Sequence, residues 1–409
     1  MPSRIAIVSS STPPQITGGI SSAHWNLYLA LKKAGYTVKV FTFEDYGCCG
    51  EEDGDVVRHG SPAAWRRLSA IVSRFYRAIL QFVEGPADYA YQLFNVLNSM
   101  MGARRINRSL GIFLPDIVIL PDNGAPGYFI TPPVGCRLIF ISHHNFLRFT
   151  NEPLIGRFSR IDAKLAMYFE RRTVSRVDTV ICPSKYMKEV FALTHDFRGS
   201  IEVIPNIVDQ DLIASTPAVD MHQLLGIPPD SPIVYIPSAG TTFKGSRFVF
   251  EIIRRLSATS KQVGFYLSGS IADEGLRKEL EYAPENARVY CPGNADYAEN
   301  IAMIKGCSVC VSPTLIESFG MAILEANFCG LPAVTFDVGG NADVITDGAN
   351  GYLVPFLDVE QLISRATGLL GKEACAEMKS KTLTLVNDQF AAERVISQYI
   401  ARLGIQRDS

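Results

Sequence analysis

The stretch Cys307-Ser-Val-Cys-Val-Ser-Pro-Thr-Leu-Ile-Glu317-Ser-Phe-Gly-Met-Ala-Ile-Leu-Glu325 leads to Gly330-Leu-Pro332. It opens on an apolar run of strand length at 307–311. A helix is expected to start near Phe319 or Gly320, with Met321, Leu324 and Phe328 on one stripe. Gly330-Leu-Pro332 is its stop signal. Another apolar run follows at 332–336, so the segment reads as strand, loop, helix, strand. That is the unit from which parallel sheets are built.

Glu317 falls in the loop and Glu325 one to two turns into the helix. A helix N-terminus presents backbone N–H groups and partial positive charge, which suit a phosphate. Gly320 lets a ligand approach the backbone. Glu325 lies roughly 7–8 Å further along the axis, at 1.5 Å per residue. The spacing fits a nucleoside diphosphate, with phosphates on the amides, ribose hydroxyls on Glu325 and sugar hydroxyls on Glu317. On spacing alone, two solvated carboxylates are an equal reading.

Outward from this stretch, strand-length runs recur at 4–9, 37–43, 116–120, 137–141, 178–182 and 201–204. A second set lies at 232–237, 263–268 and 287–291. Helical patterns lie between most of them. Such alternation argues for parallel sheets covered by helices on both faces. The pattern falters between about 206 and 231, through Pro205-Asn206, Ser215-Thr-Pro217 and Gly226-Ile-Pro-Pro-Asp-Ser-Pro232. Pro-rich turn chemistry of this kind marks a domain boundary. The expectation is two α/β domains, 1–208 and 209–386, with a ligand cleft between them, and a C-terminal segment 387–409. In open α/β sheets, ligands sit outside the carboxyl ends of the strands.

The bulk numbers narrow the class. The 409 residues are 47% hydrophobic and 20% charged, which excludes a disordered chain. A net charge of −2 argues against a nucleic-acid binder. Nine scattered cysteines read as reduced thiols of a cytosolic protein. Cys307-Ser-Val-Cys310 has no partner pair or histidine cluster and is read as structural. No signal-peptide layout opens the chain, and no apolar run reaches the ~18–20 residues of a membrane span. A soluble cytoplasmic protein, or one peripheral at the inner membrane face, is expected. Asp53-Gly-Asp55 lies in an acidic loop and reads as a solvated turn, not a metal site.

The segment after the carboxylate pair reads Gly330-Leu-Pro-Ala-Val-Thr-Phe-Asp-Val-Gly-Gly-Asn, then Val344-Ile-Thr-Asp-Gly, then Asn350-Gly-Tyr-Leu-Val-Pro355. With Glu317 and Glu325 it resembles the C-terminal signature of the retaining GT-B glycosyltransferases of family 4. The other half agrees: Pro13-Pro-Gln-Ile-Thr-Gly-Gly-Ile20, Arg176-Val-Asp-Thr-Val-Ile-Cys-Pro-Ser184 and Val203-Ile-Pro-Asn-Ile-Val-Asp209 resemble the family's motifs in order. The resemblance implies a GT-B fold, two Rossmann-like domains with parallel sheets facing a central cleft. It implies metal-independent, retaining transfer of a hexose-type sugar from a nucleotide sugar, with a UDP-linked donor expected. The acceptor would be a glycan, a lipid-linked or a small molecule, in a route to polysaccharide or glycoconjugate. No separate cofactor is implied. The C-terminal helix, around 388–403, is expected to return to the first domain.

The resemblance also implies roles. Glu325 would bind the ribose, while Glu317 with Ser318, Phe319, Gly320 and Met321 would hold the sugar and β-phosphate. Gly18 and Gly19 would form the opposing turn of the donor site, letting backbone approach the phosphates or the acceptor. His144, with His143 as alternate, would bond sugar hydroxyls. The family supplies an Arg and a Lys from the loop after the first strand of the second domain. Here Pro237-Ser-Ala-Gly-Thr-Thr-Phe-Lys-Gly245 keeps Lys244 but has Ala239 at the Arg position. Arg247 is the candidate to compensate. Without a second cation, a non-catalytic GT-B relative that binds or scaffolds is the alternative.

One helical stretch remains, residues 64–83. Arg66, Arg67, Arg74 and Arg77 share about one 100° sector, while Leu68, Ile71, Phe75, Ile79 and Phe82 form much of the other side. Arg104, Arg105 and Arg108 follow on a second helix. Either the arginines are a solvated face opposite the core, or they make peripheral contact with anionic lipid.

Overall fold

The computed structural model describes residues 3–14, 18–45, 48–150 and 153–404. Gln15, Ile16 and Thr17 of the Pro13–Ile20 motif lie outside the described residues. The chain forms two compact units: Met1–Ile207 with Ala392–Ser409, and Val208–Ala391.

The first unit carries β1 (Arg4–Ser9), β2 (Thr37–Thr42), β3 (Cys49–Asp53), β4 (Val56–His59), β5 (Ile117–Pro121), β6 (Arg137–Ile141), β7 (Thr179–Cys182) and β8 (Ser200–Val203). Their order is β3-β4-β2-β1-β5-β6-β7-β8. Only the β3–β4 hairpin pairs antiparallel. The second unit carries β9 (Ile233–Ile236), β10 (Val263–Leu267), β11 (Ala287–Tyr290), β12 (Val309–Ser312), β13 (Ala333–Phe336) and β14 (Gly351–Val354). Their order is β11-β10-β9-β12-β13-β14, parallel throughout.

The continuous apolar runs follow from burial on both faces. In β1, Ile5 and Ile7 enter one core cluster while Ala6 and Val8 enter another. In β9, Ile233 and Tyr235 face one cluster, Val234 and Ile236 the other. Side chains alternate across the sheet, so a strand covered twice must be apolar at every position. Three strands lacked such runs in the sequence. β3 is an exposed acidic edge, β4 is four residues long, and β14 follows directly on a Gly-Ala-Asn-Gly turn.

The helix α1 (Gly18–Lys33) packs on the first sheet beside the helix Ala392–Leu403. Val395, Ile396, Tyr399 and Leu403 share a cluster with Leu27, Leu31, Ile5 and Ile7. The Arg137 guanidinium donates to the Leu403 carbonyl, and Arg402 pairs with Glu202. The helix expected over 388–403 starts at Ala392, because residues up to Phe390 complete a separate helix, Lys372–Phe390.

The helices α2 (Ala63–Glu84) and α3 (Gln92–Phe113) lie side by side, and α2 departs from the amphipathic expectation. Its buried residues are Ser69, Ser73 and Leu80. Ser69 Oγ donates to Asn98 Oδ1 at 2.9 Å, and Trp65 Nε1 donates to the Leu97 carbonyl at 2.8 Å. Phe75, Ile79 and Phe82 point outward at 69%, 60% and 93% exposure. Arg66 is half-buried, so the arginine sector is not uniformly solvated. Arg105 donates to the Gly60 carbonyl at 2.6 Å and Arg104 sits 5.6 Å over the Phe129 ring, so both hold the fold. Among the described residues, no helix is long and apolar enough to cross a membrane.

Tyr399 is 3% exposed in the first unit's cluster. Tyr399→Ala is expected to lower stability by about 3–5 kcal/mol. Denaturant unfolding followed by hydrogen exchange should place that loss in β1, β2 and α1, with the strands of the second unit unaffected.

Candidate functional site

Strand order in the second unit reverses between β9 and β12. The loops leaving their carboxyl ends therefore meet, where open α/β sheets take ligands. The β9 loop ends in a short 3-10 turn, Thr242–Lys244, and the β12 loop carries Glu317. Lys244 Nζ lies 2.6 Å from Glu317 Oε2, with the side chains 30% and 13% exposed.

Glycines set the approach. A Cβ on Gly245 would sit 2.0 Å from the Pro313 carbonyl oxygen. On Gly339 it would sit 1.9 Å from that of Glu317, and on Gly340 2.3 Å from that of Ser318. The Gly339-Gly340 pair is thus a backbone bearing for the loop that holds the first carboxylate. Gly320 has φ +106° and caps the helix Met321–Phe328, which begins without a side-chain cap.

Two expectations change here. Glu317 Oε1 accepts from the Ser318 N–H at 3.0 Å and, more weakly, the Phe319 N–H at 3.5 Å. The loop amides at 318 and 319 are therefore engaged by the loop's own carboxylate, and the open end of the helix starts at Gly320. The helix also has no solvated side. Ile323 to Asn327 are all buried, because Val386 and Phe390 of the helix Lys372–Phe390 cover its outer face. Phe319 and Phe390 stand with ring centroids 6.1 Å apart.

Glu325 is consequently a buried carboxylate, 9% exposed. Burial raises its pKa to about 7, against which a hydrogen bond from Tyr297 works. The Tyr297 hydroxyl donates to Glu325 Oε1 at 3.2 Å. Tyr297 is itself raised, chiefly by burial and then by the Glu325 charge. Ala239 is fully buried in the sheet's other cluster, with its N–H on the Ser268 carbonyl at 3.1 Å. The position where the resemblance implies an arginine is thus a buried one. Arg247 is exposed, its guanidinium 5.7 Å over the Phe248 ring.

Gly18, Gly19, His143 and His144 belong to the first unit. Gly18 and Gly19 open α1, Gly18 at φ +79°. Beyond β6, Asp122 Oδ2 accepts from the backbone N–H groups of His144 and Asn145. His143 Nε2 bonds Asn206 Oδ1 at 2.9 Å, and its ring meets His24 edge-on at 5.5 Å. The His144 ring lies against Phe149 at 4.9 Å. Burial lowers all three histidines, His144 to about 4 and His24 to about 3, with His143 adding to the effect on His24. All are neutral at physiological pH and suited to hydrogen bonding. Among the described residues, no three His, Cys, Asp or Glu side chains are grouped to hold a metal ion.

The structure thus brings Lys244, Glu317, Gly320, Met321 and Glu325 together in one unit, and His143 and His144 together in the other. Tyr297, Asp122 and His24 were not among the candidates. Asp122 stands directly beyond a strand's carboxyl end, a signal the sequence held. Tyr297 had none, being 28 residues before Glu325.

Two doubly wound α/β units in one chain define the GT-B class. The family profile for glycosyltransferase family 4 matches residues 17–212, and that for glycosyl transferases group 1 matches residues 220–382. The chain belongs to this family of glycosyltransferases. It is 28% identical over 265 residues to 2-deoxystreptamine N-acetyl-D-glucosaminyltransferase of Streptomyces fradiae, covering 62% of each chain. It is 25% identical over 220 residues to D-inositol 3-phosphate glycosyltransferase of Mycobacterium marinum, covering 51% of this chain and 45% of that one. The chain spans about three-fifths or less of the length of the curated relatives it matches. Sucrose-phosphate synthase from Thermosynechococcus elongatus shares the fold at TM-score 0.71 and 20% identity, over 98% of this chain and 99% of that one. Anabaena HepE in complex with UDP and glucose aligns at TM-score 0.64 and 18% identity over the same shares.

The raised pKa of Glu325 fixes a sign. The folded state holds this proton more tightly than the unfolded chain, so the favourable contribution is complete below the ordinary value of 4.5 and lost as pH rises through about 7. Glu325→Gln should therefore stabilise the free protein at pH 8 by on the order of 3 kcal/mol and barely change it at pH 4.5. Urea unfolding at the two pH values measures this. Gly339→Ala is expected to destabilise by more than about 3 kcal/mol, since its φ of +57° and the 1.9 Å approach both exclude a Cβ. Thermal unfolding of the purified variant checks it.

Proposed function

We propose that the protein transfers a hexose-type sugar, with retention and without a metal, from a UDP-linked donor to a glycan, lipid-linked or small-molecule acceptor. The observation that carries this reading is the Lys244–Glu317 pair at the mouth of the helix that buries Glu325. The UDP named with HepE supports the donor class, and the cyclitols named with the relatives support a small-molecule acceptor.

In this reading the diphosphate lies at the Gly320–Met321 helix start, where N–H groups and the helix dipole favour negative charge. Glu325, held by Tyr297, accepts from the ribose hydroxyls. A hydroxyl donor replaces part of the hydration that burial removed, so donor binding favours the ionised carboxylate. Lys244 exchanges Glu317 for the β-phosphate, and Glu317 turns to sugar hydroxyls. As the anomeric C–O bond breaks, negative charge grows on the leaving diphosphate and Lys244 stabilises it. The first unit takes the acceptor; the backbone at Gly18 and Gly19 approaches the phosphates or the acceptor, and neutral His144, or His143, bonds hydroxyls of the donor sugar.

Lys244→Ala and Glu317→Ala are each expected to lower kcat/KM by about 10²–10³. Glu325→Ala should chiefly raise the donor KM. Product release from a panel of nucleotide sugars and acceptors measures both, and NMR of the product anomer tests retention. The buried Ala239 favours a second reading, a nucleotide-sugar-binding relative without turnover. Thermal stabilisation by UDP-sugars with no product from any pairing selects that reading.

A further inference from the structure

The outward face of α2 is an apolar stripe that stands exposed among the described residues. Leu68, Ile71, Phe75, Ile79 and Phe82 recur at helical spacing, and the two phenylalanines are 69% and 93% exposed. Solvent-exposed aromatics at this density on one helix mark a contact surface.

The charges beside the stripe say what it contacts. Arg67, Arg74 and Arg77 are exposed on α2, and Arg157, Arg160 and Lys164 are exposed near its C-terminal end. The only carboxylate of α2, Glu84, is consumed: it accepts from Ser159 Oγ at 2.5 Å and from the Ile161 N–H at 3.1 Å. Asp88 accepts the Arg157 N–H at 2.8 Å. The surface is apolar along its centre and cationic along its flank. Two copies packed through this face would be related by a two-fold axis and would set arginine against arginine. A sheet of phosphate headgroups over acyl chains complements both parts.

We propose that α2 lies in the plane of an anionic lipid surface, its stripe entering the headgroup boundary and Arg67, Arg74 and Arg77 at phosphate level. At 1.5 Å per residue the helix offers about 33 Å of such contact. The apolar residues insert and the arginines choose the lipid, which differs from contact through the arginines alone. The inference stands apart from the donor chemistry, because α2 carries none of the residues assigned to it.

Flotation of the full chain with phosphatidylcholine vesicles, with and without 30% phosphatidylglycerol, tests this. Binding should be at least about tenfold stronger on the anionic vesicles. Phe75→Ser with Phe82→Ser should reduce it by about tenfold or more, with the thermal midpoint unchanged because both side chains are exposed. Phe82→Trp should shift its fluorescence to the blue on anionic vesicles and not on neutral ones. Absence of wild-type binding, or binding that survives the double Ser variant, overturns the proposal. So does a lipid-free dimer that the double variant dissociates, which would give the stripe to a second copy.

Discussion

The second unit depends on one close approach. The loop 313–320 runs between glycines, Gly245 on one side and Gly339-Gly340 on the other, at distances that no Cβ permits. This bearing fixes the Glu317 backbone, brings its carboxylate to Lys244 and sets the angle at which the helix Met321–Phe328 leaves the loop. Steric exclusion is insensitive to salt and pH. The Lys244–Glu317 pair therefore keeps its frame through a contact that charge does not alter.

Electrostatics are placed on top of that frame. Glu325 is removed from water and meets a single tyrosine hydroxyl, so its ionised form is held at a disadvantage in the free protein. Glu317 differs, with a cation and loop amides already on it. Two carboxylates on one segment thus sit differently: Glu325 is buried with one hydroxyl on it, and Glu317 is already paired. In the first unit the same economy appears with Asp122, whose carboxylate fixes the backbone at His144 while the imidazoles stay neutral.

Much of this was legible in the residues, for a physical reason. Strands buried on both faces leave unbroken apolar runs, and the glycines and carboxylates of a ligand loop leave fixed spacings. Pairings set by strand order are not written locally: Lys244 meets Glu317 across 73 residues because the strand order reverses there. Tyr297 reaches Glu325 from another helix altogether. Amphipathic spacing in α2 disclosed two faces but not which was covered. Ser69 and Ser73, unremarkable in sequence, are buried, Ser69 on Asn98 of α3, and the phenylalanines are left outside. Ala239 shows the reverse case, where a departure from the family pattern was visible but its burial was not.

The first unit includes residues from both ends of the described chain, with the whole second unit inserted between Ile207 and Ala392. Synthesis proceeds from the N-terminus, so β1 through β8 leave the ribosome long before Val395, Tyr399 and Leu403 exist to cover Leu27 and Leu31. The second unit, contiguous in sequence, has all its core residues sooner after its own synthesis begins. The older half of the nascent chain must wait, partly uncovered, for the younger half to deliver its last helix.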